Sequence, residues 1–172
     1  MWRQEIADAV AATVAKFGGI DAVFSNAGTS GTGWIHDTSV ADFEAIIRIN
    51  LVGGFIVAKH TLPEMMDRGG GAFVSTGSIA SLVVGAGGSA VSYAASKGGI
   101  NMLTKQIAVD YCDYGIRANT LCPGGVMTGL GRNAAEDRAR AVRFPVHFCG
   151  FHPKTCTIYP FFLEFHKEAM GK

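Results

Sequence analysis

Tyr93-Ala94-Ala95-Ser96-Lys97 sets a phenol and an ammonium four residues apart. On a helix that spacing puts both groups on one face, one turn from each other. A nearby cation favours the phenolate and lowers the phenol's pKa from its ordinary value of about 10. A tyrosine held that way can exchange a proton with an alcohol or ketone near neutral pH, as a hydride-transfer reaction requires. Taken alone, the pair also fits a surface tyrosine lying along a lysine stem. What decides is the order of the residues around it.

The elements that must position the pair follow from periodicity. Ile6, Val10, Val14 and Phe17 recur at helical spacing, and Gly18-Gly19 closes that helix over residues 2–17. A short apolar run at 20–25 reads as a strand buried on both faces. A Gly/Thr/Ser loop spans 26–38, and Ser39 with Asp42 resembles a capping box. The helix it opens carries Phe43, Ile46, Ile47, Leu51 and Phe55 and is predicted to run to about residue 66. A second strand is predicted at 72–76, a long loop over 77–89, a helix over 91–114 carrying Tyr93 and Lys97, and a third strand at 116–121. Pro123-Gly124-Gly125 forces a turn, and a charged helix is expected around 134–143. Strands alternating with long helices predict an α/β fold: a Rossmann-like, doubly wound parallel sheet. In such sheets the loops at the strands' C-terminal ends line the ligand crevice. Asn26, Ser78 and the Pro123 turn all fall at such ends.

Composition narrows the function. The 172 residues carry a net charge of +1 with 17% charged residues, which gives no electrostatic case for nucleic acid or an anionic membrane surface. No apolar run reaches the roughly 18 residues that cross a bilayer, and Met1–Ile6 lacks a signal-peptide core. Cys112, Cys122, Cys149 and Cys156 show no disulfide framework spacing, which suits a reducing cytoplasm.

Five features stand in order. Ser25-Asn26-Ala27-Gly28 ends the first strand. Asn50 lies mid-helix, where asparagine is a poor choice unless its side chain has a partner. Ser78 follows the second strand, Tyr93 and Lys97 come next, and Pro123-Gly124-Gly125-Val126-Met127-Thr128 follows the third. Together they resemble the short-chain dehydrogenase/reductase family over roughly residues 1–133. The resemblance implies an NAD(P)-dependent oxidoreductase moving a hydride between a nicotinamide cofactor, NAD or NADP, and an alcohol or ketone. It implies Tyr93 as general acid/base and Lys97 as the cation that serves both the phenol and the nicotinamide ribose. Ser78 would hydrogen-bond the substrate oxygen, and Asn50 would hold a water linking Lys97 to solvent. Asn26, Ala27 and Gly28 would shape the cofactor's floor, with Pro123, Gly124, Val126 and Thr128 on its other side. Asn119 fits the family as a structural hydrogen bonder.

Two other patterns lead elsewhere. Gly85-Ala86-Gly87-Gly88-Ser89-Ala90 matches G-x-G-x-x-A, but no strand runs directly into it, so it reads as an active-site loop. His147, Cys149, His152 and Cys156 match no defensible zinc spacing, and no metal is expected. The chain also departs from the family. The glycine-rich strand–turn–helix that cradles a pyrophosphate does not appear before residue 1, a shortfall of about two βαβ units, on the order of 60 residues. The expected organisation is a partial Rossmann-like domain over 1–143 and an aromatic-rich tail over 144–172 with no assigned structure. With that cradle missing, the chain as it stands is expected to bind NAD(P) poorly or not at all, and turnover is expected of a full-length version. The alternative reading is a non-catalytic relic that associates with full-length relatives. A full-length chain would form homo-oligomers through the helices at 40–66 and 91–114, which resemble the family's dimer interface.

Overall fold

The computed structural model describes residues 2–31, 33–83, 91–124, 146–152 and 157–163. Helix α1 spans Trp2–Phe17, and its Val10 and Val14 pack against the core. Gly18, at φ 80°, ends it by donating its N–H to the Val14 carbonyl. Strand β1 follows at Ala22–Ser25. Ser39 caps helix α2, Val40–Ile47, accepting the Asp42 N–H at 3.1 Å and donating to its carboxylate at 2.7 Å.

The single helix expected over 40–66 is interrupted. Arg48–Val52 widens into a π turn, with the Gly53 N–H reaching back to the Arg48 carbonyl, before α3 continues over Gly53–Asp67. Strand β2 spans Gly71–Thr76, and a 3₁₀ turn over Ile79–Ser81 follows Ser78. Helix α4 spans Val91–Asp110, with Gly115 (φ 75°) turning the chain into β3 at Ile116–Cys122. The helix expected at 134–143 and the loop at 85–90 lie outside the described residues. Part of the tail, for which the sequence suggested no structure, forms β4 (Val146–His152) and β5 (Thr157–Leu163).

Among the described residues these strands form one open sheet in the order β1-β2-β3-β4-β5. β1, β2 and β3 are parallel, with Val23 opposite Phe73 and Val74 opposite Asn119. β4 and β5 add an antiparallel hairpin to the edge of β3, with Cys122 opposite His147. The core lies between α3, α4 and the parallel strands: Ile20, Ala58, Leu62, Met65, Phe73, Ile107, Ala108, Ile116 and Ala118. Burial along β2 and β3 alternates. Phe73, Ile116 and Ala118 are buried towards the helices, while Arg117 is exposed. Phe24 on β1 is 60% exposed. The strands were expected to be buried on both faces; here the described helices cover one. No described helix is long and apolar enough to cross a membrane.

Candidate active site

Helix α4 turns an unusual face to the sheet. Ser92, Ser96, Lys97, Asn101 and Thr104 are all buried, at helical spacing. A polar stripe in a protein interior is tolerated only where each group is bonded. Here each long member reaches the end of a different strand or its loop.

Lys97, 5% exposed, donates from Nζ to the Thr76 carbonyl at the end of β2, at 2.6 Å. The same ammonium lies over the Tyr93 ring, 5.6 Å from its centroid. No carboxylate pairs with it among the described residues. Burial pushes its pKa below the ordinary 10.5, partly opposed by the Cys122 thiol nearby. Thr76 also ties the floor together, because its hydroxyl donates to Asn26 Oδ1 at 2.8 Å.

Asn50 is 2% exposed and sits in the π turn. Its Oδ1 accepts the Thr29 N–H at 2.8 Å. Its Nδ2 donates to the Thr29 carbonyl and to Ser96 Oγ, both at 2.9 Å. The Ser96 hydroxyl in turn donates to the Tyr93 carbonyl at 2.7 Å. The side chain therefore clamps the loop after β1 to the helix that carries Tyr93. Both amide hydrogens are used, so for the water-holding role expected of it the side chain retains only a lone pair on Oδ1. Gly99 lets the two helical segments come this close: a Cβ there would sit 2.7 Å from Leu51 Cδ2.

Ser78 is 8% exposed and extended, and caps the 3₁₀ turn by accepting the Ala80 N–H at 3.1 Å. Accepting that bond fixes Oγ and leaves the hydroxyl proton to donate elsewhere. The Pro123 carbonyl accepts the Ile79 N–H at 2.9 Å, so the turn after β3 abuts the Ser78 loop. Pro123 and Gly124 are half-buried beside it, and Asn119 lies within β3.

The structure thus brings Asn26, Gly28, Asn50 and Lys97 into one cluster, with Tyr93 over the ammonium. Ala27 is exposed beside them, and Val126 and Thr128 lie outside the described residues. Sequence reasoning missed Thr29, Thr76, Ser96 and Asn101. The signal that marked Asn50, an asparagine inside a helix, applied equally to Asn101.

The cluster suits the nicotinamide–ribose end of a dinucleotide. It offers a buried ammonium beside a backbone turn where glycine at residue 28 leaves the approach uncrowded. A Cβ there would lie 3.1 Å from Asn50 Oδ1 and 3.5 Å from Lys97 Nζ.

Residues 2–139 match the family described as short chain dehydrogenase. The chain is 42% identical over 137 residues to 2-(R)-hydroxypropyl-CoM dehydrogenase of Xanthobacter autotrophicus, covering 74% of this chain and 54% of that one. It is 42% identical to (+)-borneol dehydrogenase 1 of Salvia officinalis, over 76% of this chain and 50% of that one. Among solved structures, gluconate 5-dehydrogenase of Burkholderia cenocepacia, in complex with NADP and tartrate, superposes with a TM-score of 0.75 at 34% identity, covering 80% of this chain and 53% of that one. The chain belongs to the short-chain dehydrogenase family, an oxidoreductase family of Rossmann fold. It spans about half the length of the relatives it matches.

Proposed function

We propose that this protein transfers a hydride between a nicotinamide cofactor, NAD or NADP, and a small-molecule alcohol or ketone. The observation that carries the reading is the buried Lys97 ammonium lying over the Tyr93 ring, with no carboxylate partner among the described residues. The nicotinamide, when bound, gives or takes the hydride. Tyr93 supplies a proton to the substrate oxygen in reduction and removes it in oxidation. Lys97 stabilises the phenolate. Ser78, its oxygen pinned by the Ala80 N–H, donates its free hydroxyl proton to the same substrate oxygen. Asn50 holds the β1 loop against α4. Lys97 and the Asn26–Gly28 turn would hold the ribose, with Pro123 and Gly124 on the nicotinamide side.

The test is turnover of a panel of secondary alcohols and ketones by the purified chain with NAD(H) and NADP(H), followed by nicotinamide absorbance beside a Tyr93→Phe control. Turnover that survives in Tyr93→Phe, or none with any pair at cofactor concentrations high enough to fill a weak site, would refute the reading. The free thiols at Cys112 and Cys122 support a reducing, cytoplasmic setting.

A second reading is a non-catalytic chain that associates with full-length relatives. It is favoured by apolar side chains exposed on the helical segments at 40–66 and 91–114: Ile49 46%, Phe55 50%, Met102 63% and Val109 49%. The same surface supports a homo-oligomer in the first reading. Mass measurement in solution, alone and mixed with a full-length relative, separates the two.

A further inference from the structure

We propose that Asn101 is a positioning residue: through Ser81 and Cys122 it fixes the loop that carries Ser78 to the helix that carries Tyr93 and Lys97. The proposal rests on the oxidoreductase reading for its consequence in turnover, and on geometry alone for the positioning itself.

Asn101 lies one turn beyond Lys97 on α4 and is 4% exposed. An asparagine there disfavours the helix unless its amide is bonded, and both ends of this one are. Its Nδ2 donates to Ser81 Oγ at 2.6 Å. Its Oδ1 accepts the Cys122 thiol at 3.5 Å. The Ser81 hydroxyl then donates to the Ser78 carbonyl and lies 3.6 Å from the Cys122 sulfur. One amide thus joins three pieces of chain: α4, the 3₁₀ turn after Ser78, and the last residue of β3. The backbone repeats the connection between the last two, with Gly77 N–H on the Leu121 carbonyl at 2.8 Å and Ile79 N–H on Pro123. A Cβ on Gly77 would meet Asn101 Oδ1 and Cys122 Sγ at 3.0 Å each, so the cluster packs directly under the residue that precedes Ser78.

The Ser78 hydroxyl needs such a support. Its only bond among the described residues is the one it accepts from Ala80, within the same short turn. Nothing in that bond sets the turn's distance from Tyr93. The Asn101 amide does, because it is anchored in the helix of Tyr93 and grips the Ser81 hydroxyl and the strand end on either side.

Amide hydrogen exchange on the full chain tests this, with Asn101→Leu and, as a milder variant that leaves the helix untouched, Ser81→Ala. The amides of Ala80, Ser81 and Leu82 report directly, since each is bonded within the turn. In both variants they should exchange at least about tenfold faster, the factor one lost hydrogen bond is worth, since each variant removes two. Phe73 and Ser75 in β2 should stay within about twofold. Equal acceleration throughout the sheet, or none at the turn, would overturn the proposal. In the turnover assay, kcat should fall with cofactor KM and the pH profile unmoved, because Tyr93 and Lys97 keep their own bonds; an unchanged kcat would refute the catalytic consequence. Should the unsubstituted chain lack turnover, the oxidoreductase reading fails, and the exchange rates still decide the positioning.

Discussion

Replacing Asn50 with alanine isolates the clamp between the β1 loop and α4. The substitution removes three hydrogen bonds: one from the Thr29 N–H and two from Nδ2 to Thr29 and Ser96. Each is worth about 1 kcal/mol net, and more where the orphaned partner stays buried. Thr29 is only part-buried, so water can rescue its two groups. Ser96 is fully buried, but its hydroxyl keeps the Tyr93 carbonyl as acceptor. Summed, the loss is about 2–3 kcal/mol, and for a chain of 172 residues that lowers Tm by about 4–12 °C. Thermal unfolding by circular dichroism measures it. Accelerated exchange at the Thr29 amide, with the Ala80 amide unmoved, would locate the damage in this clamp and not in the Asn101 network. A Tm within about 2 °C of the parent would refute the clamp.

Other outcomes follow from the same geometry. Tyr93→Phe removes one oxygen atom and should abolish turnover while leaving Tm within about 2 °C; loss of the fold or retained activity contradicts the assigned role. Lys97 is buried with its pKa below 10.5, so the unfolded chain binds its proton more tightly than the folded one. The parent should therefore gain stability relative to Lys97→Met as pH rises towards 10.5 and lose that gain as pH falls through the lowered pKa; a flat difference across the window would show that burial does not depress this group. Gly28→Ala should be tolerated with a small shift of Asn50. The branched Gly28→Val should cost about 1 kcal/mol by overpacking and disturb the Lys97–Thr76 bond, checked by chemical denaturation.

Side-chain chemistry and strand–helix alternation were legible because they are local. Tyr93 and Lys97 stand out by type and spacing only together with the order of the residues around them, Asn50 by being out of place in a helix, and Ser78 only through the family resemblance. The parallel part of the sheet follows from the same alternation. What was not legible depends on contacts remote in sequence. The π turn at Arg48–Val52 goes with the amide of Asn50 reaching Thr29, 21 residues away, and with Leu51 sitting against Gly99. No local propensity encodes that widening. The hairpin of β4 and β5 depends on β3 offering its edge, and the tail's aromatic residues carry no period to announce it. Ser96 and Thr29 are ordinary helix and loop residues until the fold brings Asn50 between them.

The arrangement makes α4 the datum of the site. Ser96 engages the clamp on the β1 loop, Lys97 the end of β2, and Asn101 the end of β3 and the Ser78 turn. Thr104, a further turn along, bonds Ser75 inside β2 at 2.8 Å. A helix is stiff over these distances, so the three strand ends are referenced to one body and, through it, to each other. The polar stripe sacrifices apolar burial on the face that would otherwise contribute most to the core. That sacrifice makes sense where relative position matters more than stability, as it would in the proposed function for a proton donor and a hydroxyl that meet one substrate oxygen. Substitutions along the stripe should then act at the loop each residue grips, leaving the other two in place, whereas a uniform loosening of all three loops would mean that the stripe serves the core alone.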